Sequence, residues 1–405
     1  MTEDNTSSSI LMARQPIFDN DLNVYGYELL FRDNLQNESG VTKGNGDLAT
    51  TKVINHTFLE FGIERVIGQH YGFINLTRSF LVGNIPLPFD HHHVVLEILE
   101  DIVIDQEIIT AVKNLAQQGY IIALDDFIFK EEFRPLLDVT SIIKIDLLAL
   151  SDQELIEHVD LLKAYNVKLL AEKVETHQQF EQCRALGFDY YQGYFFCQPT
   201  ILDDKPLPDN KLAVMRIISS LQQADITIEN LEYLVSQDAS LSYKLLRLLN
   251  SAAVALPKQV TSLQQGLILL GLKKIRAWAT IIAFSGVKAA TSELLSTTLV
   301  RAKMAEHLAP LFDCDSDSAF MIGLFSSLDI MMMKPMASLL ESLPLELPIK
   351  NALISHDGEL GKLLLFIICY EQNDLAILPP NVSIDDLNKA FTTATEWAIA
   401  TEAAL

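Results

Sequence analysis

Residues 105–119, DQEIITAVKNLAQQG, followed at once by residues 120–126, YIIALDD, decide how the first half of this chain is read. The first segment is helix-like. The second is a short continuous apolar run that stops at two adjacent carboxylates, Asp125 and Asp126. A run of this kind is the pattern of a strand buried on both faces, and alternation of such runs with helices points to a parallel sheet. The unit recurs along the chain. Further strand-like runs are YGYELLF (25–31), YGFINL (71–76), HVVLEIL (93–99), SIIKID (141–146), VKLLAEKV (167–174) and YYQGYFF (190–196), with helix-like stretches at 47–61 and 152–166. This many repeats favours a closed β/α barrel over an open sheet.

The strands finish in residues that carry chemistry. Glu28 lies in the first run, Asn75 ends FIN and Glu97 ends VVLE; Asp125 and Asp126 end IALDD, Lys144 and Asp146 lie in IIKID, Glu172 ends LLAE, and Gln192 follows DYY. In a parallel barrel the C-terminal strand ends open on one face, so these scattered residues are expected to share one pocket. A single acid at a strand end is ordinarily a turn or cap residue. Structural acids would fall at both strand ends alike, whereas this set falls at one. Its oxygen ligands suit Mg²⁺ or Mn²⁺, and the clustered Cys and His of a zinc site are absent. Two divalent ions side by side are a standard device for phosphodiester hydrolysis. Lys144 is placed to hold the attacking water or the phosphate charge, and the carboxylates keep it protonated.

Composition narrows the partners. The chain has 405 residues, 49% hydrophobic and 20% charged, which is globular, and a formal net charge of -23, which repels nucleic-acid backbones. MTEDNTSSS at residues 1–9 lacks the basic start and apolar core of a signal peptide, and the apolar stretches 321–333 and 363–370 are too short for a membrane span. Four cysteines with no C-x-x-C spacing suit a cytoplasmic protein.

The motifs then meet a known family. YELLFR (27–32), INLT (74–77), LEILE (96–100), LDDF (124–127), KID (144–146), AEKVE (171–175) and QGY (192–194) occur in the order found in EAL domains. Residues 10–200 thus resemble the enzymes that hydrolyse the bacterial second messenger cyclic di-GMP to linear pGpG. The resemblance implies catalytic roles for Lys144, Glu28 and Glu175. It implies metal ligation by Glu28, Asn75, Glu97, Asp125, Asp126 and Glu172, and substrate contacts from Arg32, Gln192 and Asp146. Glu100 corresponds to the glutamate that steadies the loop after the paired aspartates. Two departures stand out. Active members follow those aspartates with a Gly-Thr-Gly type loop that shapes the second metal site and a homodimer contact. Here Phe127–Glu132 (FIFKEE) follows, where Ile128 and Phe129 take positive φ only at a cost. Lys173 stands where the family has glycine, beside Glu172, as a competitor for metal.

Residues 201–210 read as a linker, and 211–405 as all-α, with helices at 211–223, 229–238, 241–252, 262–271 and 273–286 and several more beyond. VSQDASLSYKLLRLLNSAA (235–253) and VTSLQQGLILLGLKKIRAWA (260–279) resemble the HDOD domain, a helical relative of HD phosphohydrolases. In GLFSSLDIMM (323–332), Ser326 or Ser327 stands in place of the catalytic histidine while Asp329 remains, which implies a module that binds an unknown protein partner without catalysis. Trp278 and Trp397 read as core or interface aromatics, His91–His93 as a loop leading into a strand, and MMMKPM (331–336) as packed core. The sequence leaves open a hydrolase, a cyclic di-GMP receptor, and an interaction protein without ligand; the retained Arg32, Asn75 and Gln192 speak against the last.

Overall fold

Leu11–Asp19 (β1) and Val24–Arg32 (β2) form an antiparallel hairpin that the strand pattern did not disclose. The structure, a computed structural model, describes residues 11–32, 63–87, 89, 91–193, 209–223, 226–227, 230–231, 233, 235, 239–256, 259–260, 262–286, 292–372 and 378–405. Arg14, Gln15 and Pro16 interrupt the apolar run of β1, which hides it from a reading based on continuous hydrophobicity. Pro16 is tolerated because β1 meets its other neighbour only at Phe18 and Asp19, so the lost N–H breaks no ladder there. Asp19 fixes the turn: its Oδ1 accepts from the N–H groups of Asp21 and Asn23, both at 2.9 Å.

The remaining strands are Tyr71–Leu76 (β3), Val94–Ile98 (β4), Ile121–Leu124 (β5), Ile142–Asp146 (β6), Lys168–Glu172 (β7) and Tyr190–Tyr191 (β8). From β2 to β8 every pairing is parallel, and β1 closes the barrel by pairing antiparallel with both β2 and β8. The wholly parallel sheet expected from the helix–strand repeat is therefore corrected at its first strand. Short helices Glu64–Ile67 (α1), Arg78–Leu81 (α2) and Arg134–Leu137 (α4) and longer ones Gln106–Gln117 (α3), Asp152–Leu162 (α5) and His177–Leu186 (α6) connect the strands. Their starts follow from the sequence. Asp105 caps α3, and capping boxes Ser151/Glu154 and Thr176/Gln179 open α5 and α6. Gly187 ends α6 at φ 97°, the left-handed conformation that glycine takes at least cost. The helix expected at 47–61 lies outside the described residues.

A layer of side chains fills the barrel: Ile17, Phe73, Val95, Ala123, Ile142 and Leu170, each 2% exposed or less. β2 contributes only Gly26, whose missing side chain leaves room for the Phe73 ring; a Cβ there would stand 2.9 Å from it. Because side chains repeat on one face every second residue, the residue two positions further along each parallel strand faces the same way. Those residues are Glu28, Asn75, Glu97, Asp125, Lys144 and Glu172. In β1, which runs the other way, the equivalent step from Ile17 leads to Gln15.

The chain divides into two compact units, Met1–Phe196 and Cys197–Leu405. The expected linker at 201–210 lies outside the described residues except for the start of a helix. The second unit is helical: Asp209–Leu221 (α7), Ala239–Leu249 (α8), Leu263–Ser285 (α9), Ser292–Leu308 (α10), Ser316–Phe325 (α11), Leu328–Met332 (α12), Met336–Glu341 (α13), Leu347–Ser355 (α14), Gly358–Glu371 (α15) and Ile384–Ala404 (α16). The helix expected at 229–238 falls largely outside the described residues. Helix α9 joins the two read at 262–271 and 273–286, and it breaks at Gly271 (φ 79°). Gly323 lets α11 approach α10 closely, since a Cβ there would lie 2.4 Å from the Cα of Ala302. Met331 and Met332 are core residues and Met333 is exposed.

Candidate active site

Above the apolar layer, the polar residues converge on the Lys144 ammonium. Lys144 is fully buried, with its Nζ 2.7 Å from Asp125, 2.8 Å from Glu97, 3.1 Å from Glu172 and 3.5 Å from Glu28. Burial alone would lower the lysine pKa, but the surrounding charge of Glu28, Glu97, Glu172 and Asp125 outweighs it and holds the value well above the ordinary one. Lys144 is thus a fixed cation and hydrogen-bond donor, not a base. Glu97 is pushed well up by burial, against the pull of Lys144. Glu172 is raised to about 8, again by burial first, with Lys144 opposing.

Around this centre the amides orient the acids. Gln192 donates from Nε2 to Glu28 Oε2 at 2.6 Å and to Gln15 Oε1 at 3.1 Å, and Asn75 Nδ2 reaches Glu28 Oε1 at 3.5 Å. Gln15 was missed by the sequence reading. Its signal is the hairpin register, which sets Gln15 directly opposite Glu28. Asp126 stands at φ 41°, and burial and the neighbouring Asp125 raise its pKa. Asp146 accepts from the Leu148 N–H at 2.8 Å and pairs with Lys173. Lys173 therefore engages Asp146 directly rather than Glu172, and it sits at φ 56°, a backbone conformation that favours glycine.

Two expected members stand apart. Glu175 is exposed ahead of α6 and has no ion pair to the cluster among the described residues; its N–H donates to Gln179. Glu100 is exposed, meets Asp125 and Asp126 only as like charges, and makes no hydrogen bond to residues 127–132 among the described contacts. The side chain of Arg32 lies outside the described residues, although its backbone ends β2.

The stretch after the aspartates is an aromatic plug. Phe127 is buried, its N–H donates to the Lys144 carbonyl at 2.9 Å, and its ring meets Phe129 and Phe133 edge-on. The turn is made by the positive φ of Asp126, so Ile128 and Phe129 avoid that conformation altogether.

The donor set fits a hard divalent cation. Glu97 Oε2, Glu172 Oε2 and Asn75 Oδ1 are buried and accept no hydrogen bond from the described residues, while Glu97 Oε1 is engaged by the Lys144 ammonium at 2.8 Å. Among the described residues six carboxyl groups, Glu28, Glu97, Asp125, Asp126, Asp146 and Glu172, face the ammonium groups of Lys144 and Lys173, more acid than two cations balance and a set that a bound cation would draw into its charged form. As they stand, no three of the described carboxylates close on a common point, and the Lys144 Nζ fills the centre.

Comparison with known proteins gives the same picture at the level of the chain. Residues 69–199 match the EAL domain and residues 207–343 the HDOD domain. The cyclic di-GMP phosphodiesterase CdgJ of Vibrio cholerae serotype O1 is 32% identical over 405 residues, spanning 98% of this chain and 94% of CdgJ. This chain belongs to the EAL–HDOD family. YuxH of Bacillus subtilis is 31% identical over 96% of this chain and 98% of its own. Among solved structures, the EAL-domain protein YkuI of Bacillus subtilis, in complex with c-di-GMP and calcium, is 20% identical over 56% of this chain and 72% of its own, with a TM-score of 0.39. The EAL match begins at residue 69, yet β2 brings Glu28 into the cluster from well before it.

In the HDOD unit Ser326 and Ser327 are in use. Arg301 donates from Nη1 to Ser326 at 2.8 Å and Ser327 at 3.3 Å, and it grips Glu371 through Nε and Nη2. Asp329 is pushed up by burial. No helix in the described residues is long and apolar enough to cross a membrane.

Proposed function

We propose that this EAL–HDOD protein hydrolyses cyclic di-GMP to linear pGpG with Mg²⁺ or Mn²⁺. The observation that carries the proposal is the buried Lys144 ringed by Glu28, Glu97, Asp125 and Glu172. The 32% identity to a cyclic di-GMP phosphodiesterase along nearly all of both chains supports it. Glu28, Asn75, Glu97, Asp125, Asp126 and Glu172 would hold the ions. Bound there, divalent ions lower the pKa of water and neutralise phosphate charge.

The rest falls to the side chains. The Lys144 ammonium orients the attacking water or a phosphoryl oxygen by donating to it, and its charge favours the negative charge that builds at phosphorus. Gln192 and Asn75 hold the Glu28 carboxylate in place. Gln192, Asp146 and Arg32 are assigned to substrate, Glu175 to the catalytic set, and Glu100 to support of the loop after Asp126. The exposed positions of Glu175 and Glu100 require both to engage with substrate present.

A second reading, a receptor that binds the nucleotide without cleaving it and signals through the HDOD unit to a protein partner, is favoured by one contact, the pairing of Lys173 with Asp146. A time course of purified protein with cyclic di-GMP and Mg²⁺ or Mn²⁺, resolved by chromatography beside Glu28→Ala, separates the two. Hydrolysis predicts pGpG from the unaltered protein only. Intact nucleotide that co-elutes with the protein overturns hydrolysis and establishes the receptor.

A further inference from the structure

The HDOD unit holds a cavity of ≈310 Å³, the volume of about ten waters in the liquid, lined by residues that the reading of the barrel leaves unused. Its apolar wall is built from Trp278, Trp397 and Phe320. The indoles lie 5.4 Å apart with their planes at 42°, and Phe320 meets Trp397 edge-on. The polar lining carries four cations, Lys273, Lys274, Arg276 and Lys303, against three acids, Glu306, Asp317 and Glu346.

Two of these cations are already committed. Lys273 pairs with Asp317 at 3.2 Å; Lys303 pairs with Glu306 and lies over the Trp397 ring, 5.4 Å from its centre. Arg276 is different. Its Nη2 donates to the Gln223 carbonyl at 3.2 Å, and no carboxylate among the described residues pairs with its guanidinium, which lines the cavity. Lys274 stands exposed on the same lining.

We infer that this cavity is a binding site for a small aromatic organic anion, with its ring against Trp397, Phe320 and Trp278 and its anionic group on Arg276 and Lys274. Indole and phenyl faces supply the apolar contact that a planar ring seeks, and a guanidinium beside an ammonium selects the negative group. The inference is independent of whether the barrel cleaves or merely binds its nucleotide.

The chain contains two tryptophans in all, and both line the cavity, so its indole emission reports on this site. The full-length protein is titrated with 8-anilinonaphthalene-1-sulfonate and, in parallel, with uncharged N-phenyl-1-naphthylamine. The sulfonate is expected to quench the tryptophan emission saturably. Arg276→Gln and the exposed Lys274→Glu are each expected to weaken it about three- to tenfold, with far-UV circular dichroism unchanged and the neutral probe unaffected. Tryptophan emission that does not change up to millimolar sulfonate overturns the inference. So does sulfonate affinity that is equal in the parent protein and in Lys274→Glu.

Discussion

Among the described residues each unit buries a charged network, and the two are built on opposite principles. In the HDOD unit, Arg301 meets Glu371 through paired hydrogen bonds and spends another donor on Ser326, so both Glu371 oxygens are engaged. In the barrel, Lys144 faces four carboxylates, and oxygens of Glu97 and Glu172 are left without a hydrogen bond. A satisfied network holds a structure together. One with surplus charge and orphaned oxygens holds a place for something else. The HDOD unit ties Ser326 and Ser327 into its packing through Arg301, while the barrel keeps the conflict that an ion would resolve.

The sharpest way to break this contrast is to remove one charged partner from each network, the lysine in the barrel and the glutamate in the HDOD unit. Lys144→Met should destabilise the metal-free barrel by about 3–5 kcal/mol, and Mg²⁺ should restore part of the loss in chemical denaturation. Glu371→Gln should cost the HDOD unit about 2–3 kcal/mol, with no recovery in Mg²⁺. Equal rescue of both variants would dissolve the distinction.

Acidity tests the barrel side alone. Because the folded pKa of Glu172 is raised to about 8 from an ordinary value of 4.5, the folded state binds the extra proton across that interval. Its contribution to metal-free stability is therefore lost as pH rises from about 4.5 to about 8, and Mg²⁺ affinity should climb over the same range. Melting curves in EDTA and in Mg²⁺ at stepped pH read both trends. A metal-free midpoint that rises through this window would contradict the geometry.

The smallest effect belongs to Lys173→Gly. Relief of the φ 56° backbone offsets the lost ion pair to Asp146, so stability should move by less than about 1 kcal/mol. Mg²⁺ should bind several-fold more tightly by calorimetry, since Asp146 loses its resident cation. Unchanged affinity would mean that Lys173 does not compete at this site.

Much of the barrel was legible because its strands announce themselves twice, by an apolar run and by the polar residue that stops it. Asn75, Glu97, Asp125, Lys144 and Glu172 each lie two residues beyond a core side chain, and the period of a strand does the rest. β1 escaped for the same reason in reverse: Arg14, Gln15 and Pro16 break the run, and Gln15 becomes visible only once the hairpin register is known. The roles of Glu100 and Glu175 could be read as motif positions, but no local pattern fixes where an exposed carboxylate points. The HDOD cavity was wholly illegible, since Trp278 and Trp397 are brought together only by the packing of distant helices.

The antiparallel first strand also sets the order in which the barrel forms. Its hairpin with β2 is local and closes within the first stretch of chain, whereas its other edge waits for Phe18 and Asp19 to meet Tyr191 and Tyr190. The Tyr191 hydroxyl that locks this seam to Asn20 bridges 171 positions of sequence. During synthesis, then, the ring stays open until its last strand has left the ribosome, and closing it costs the loop entropy of joining two distant ends.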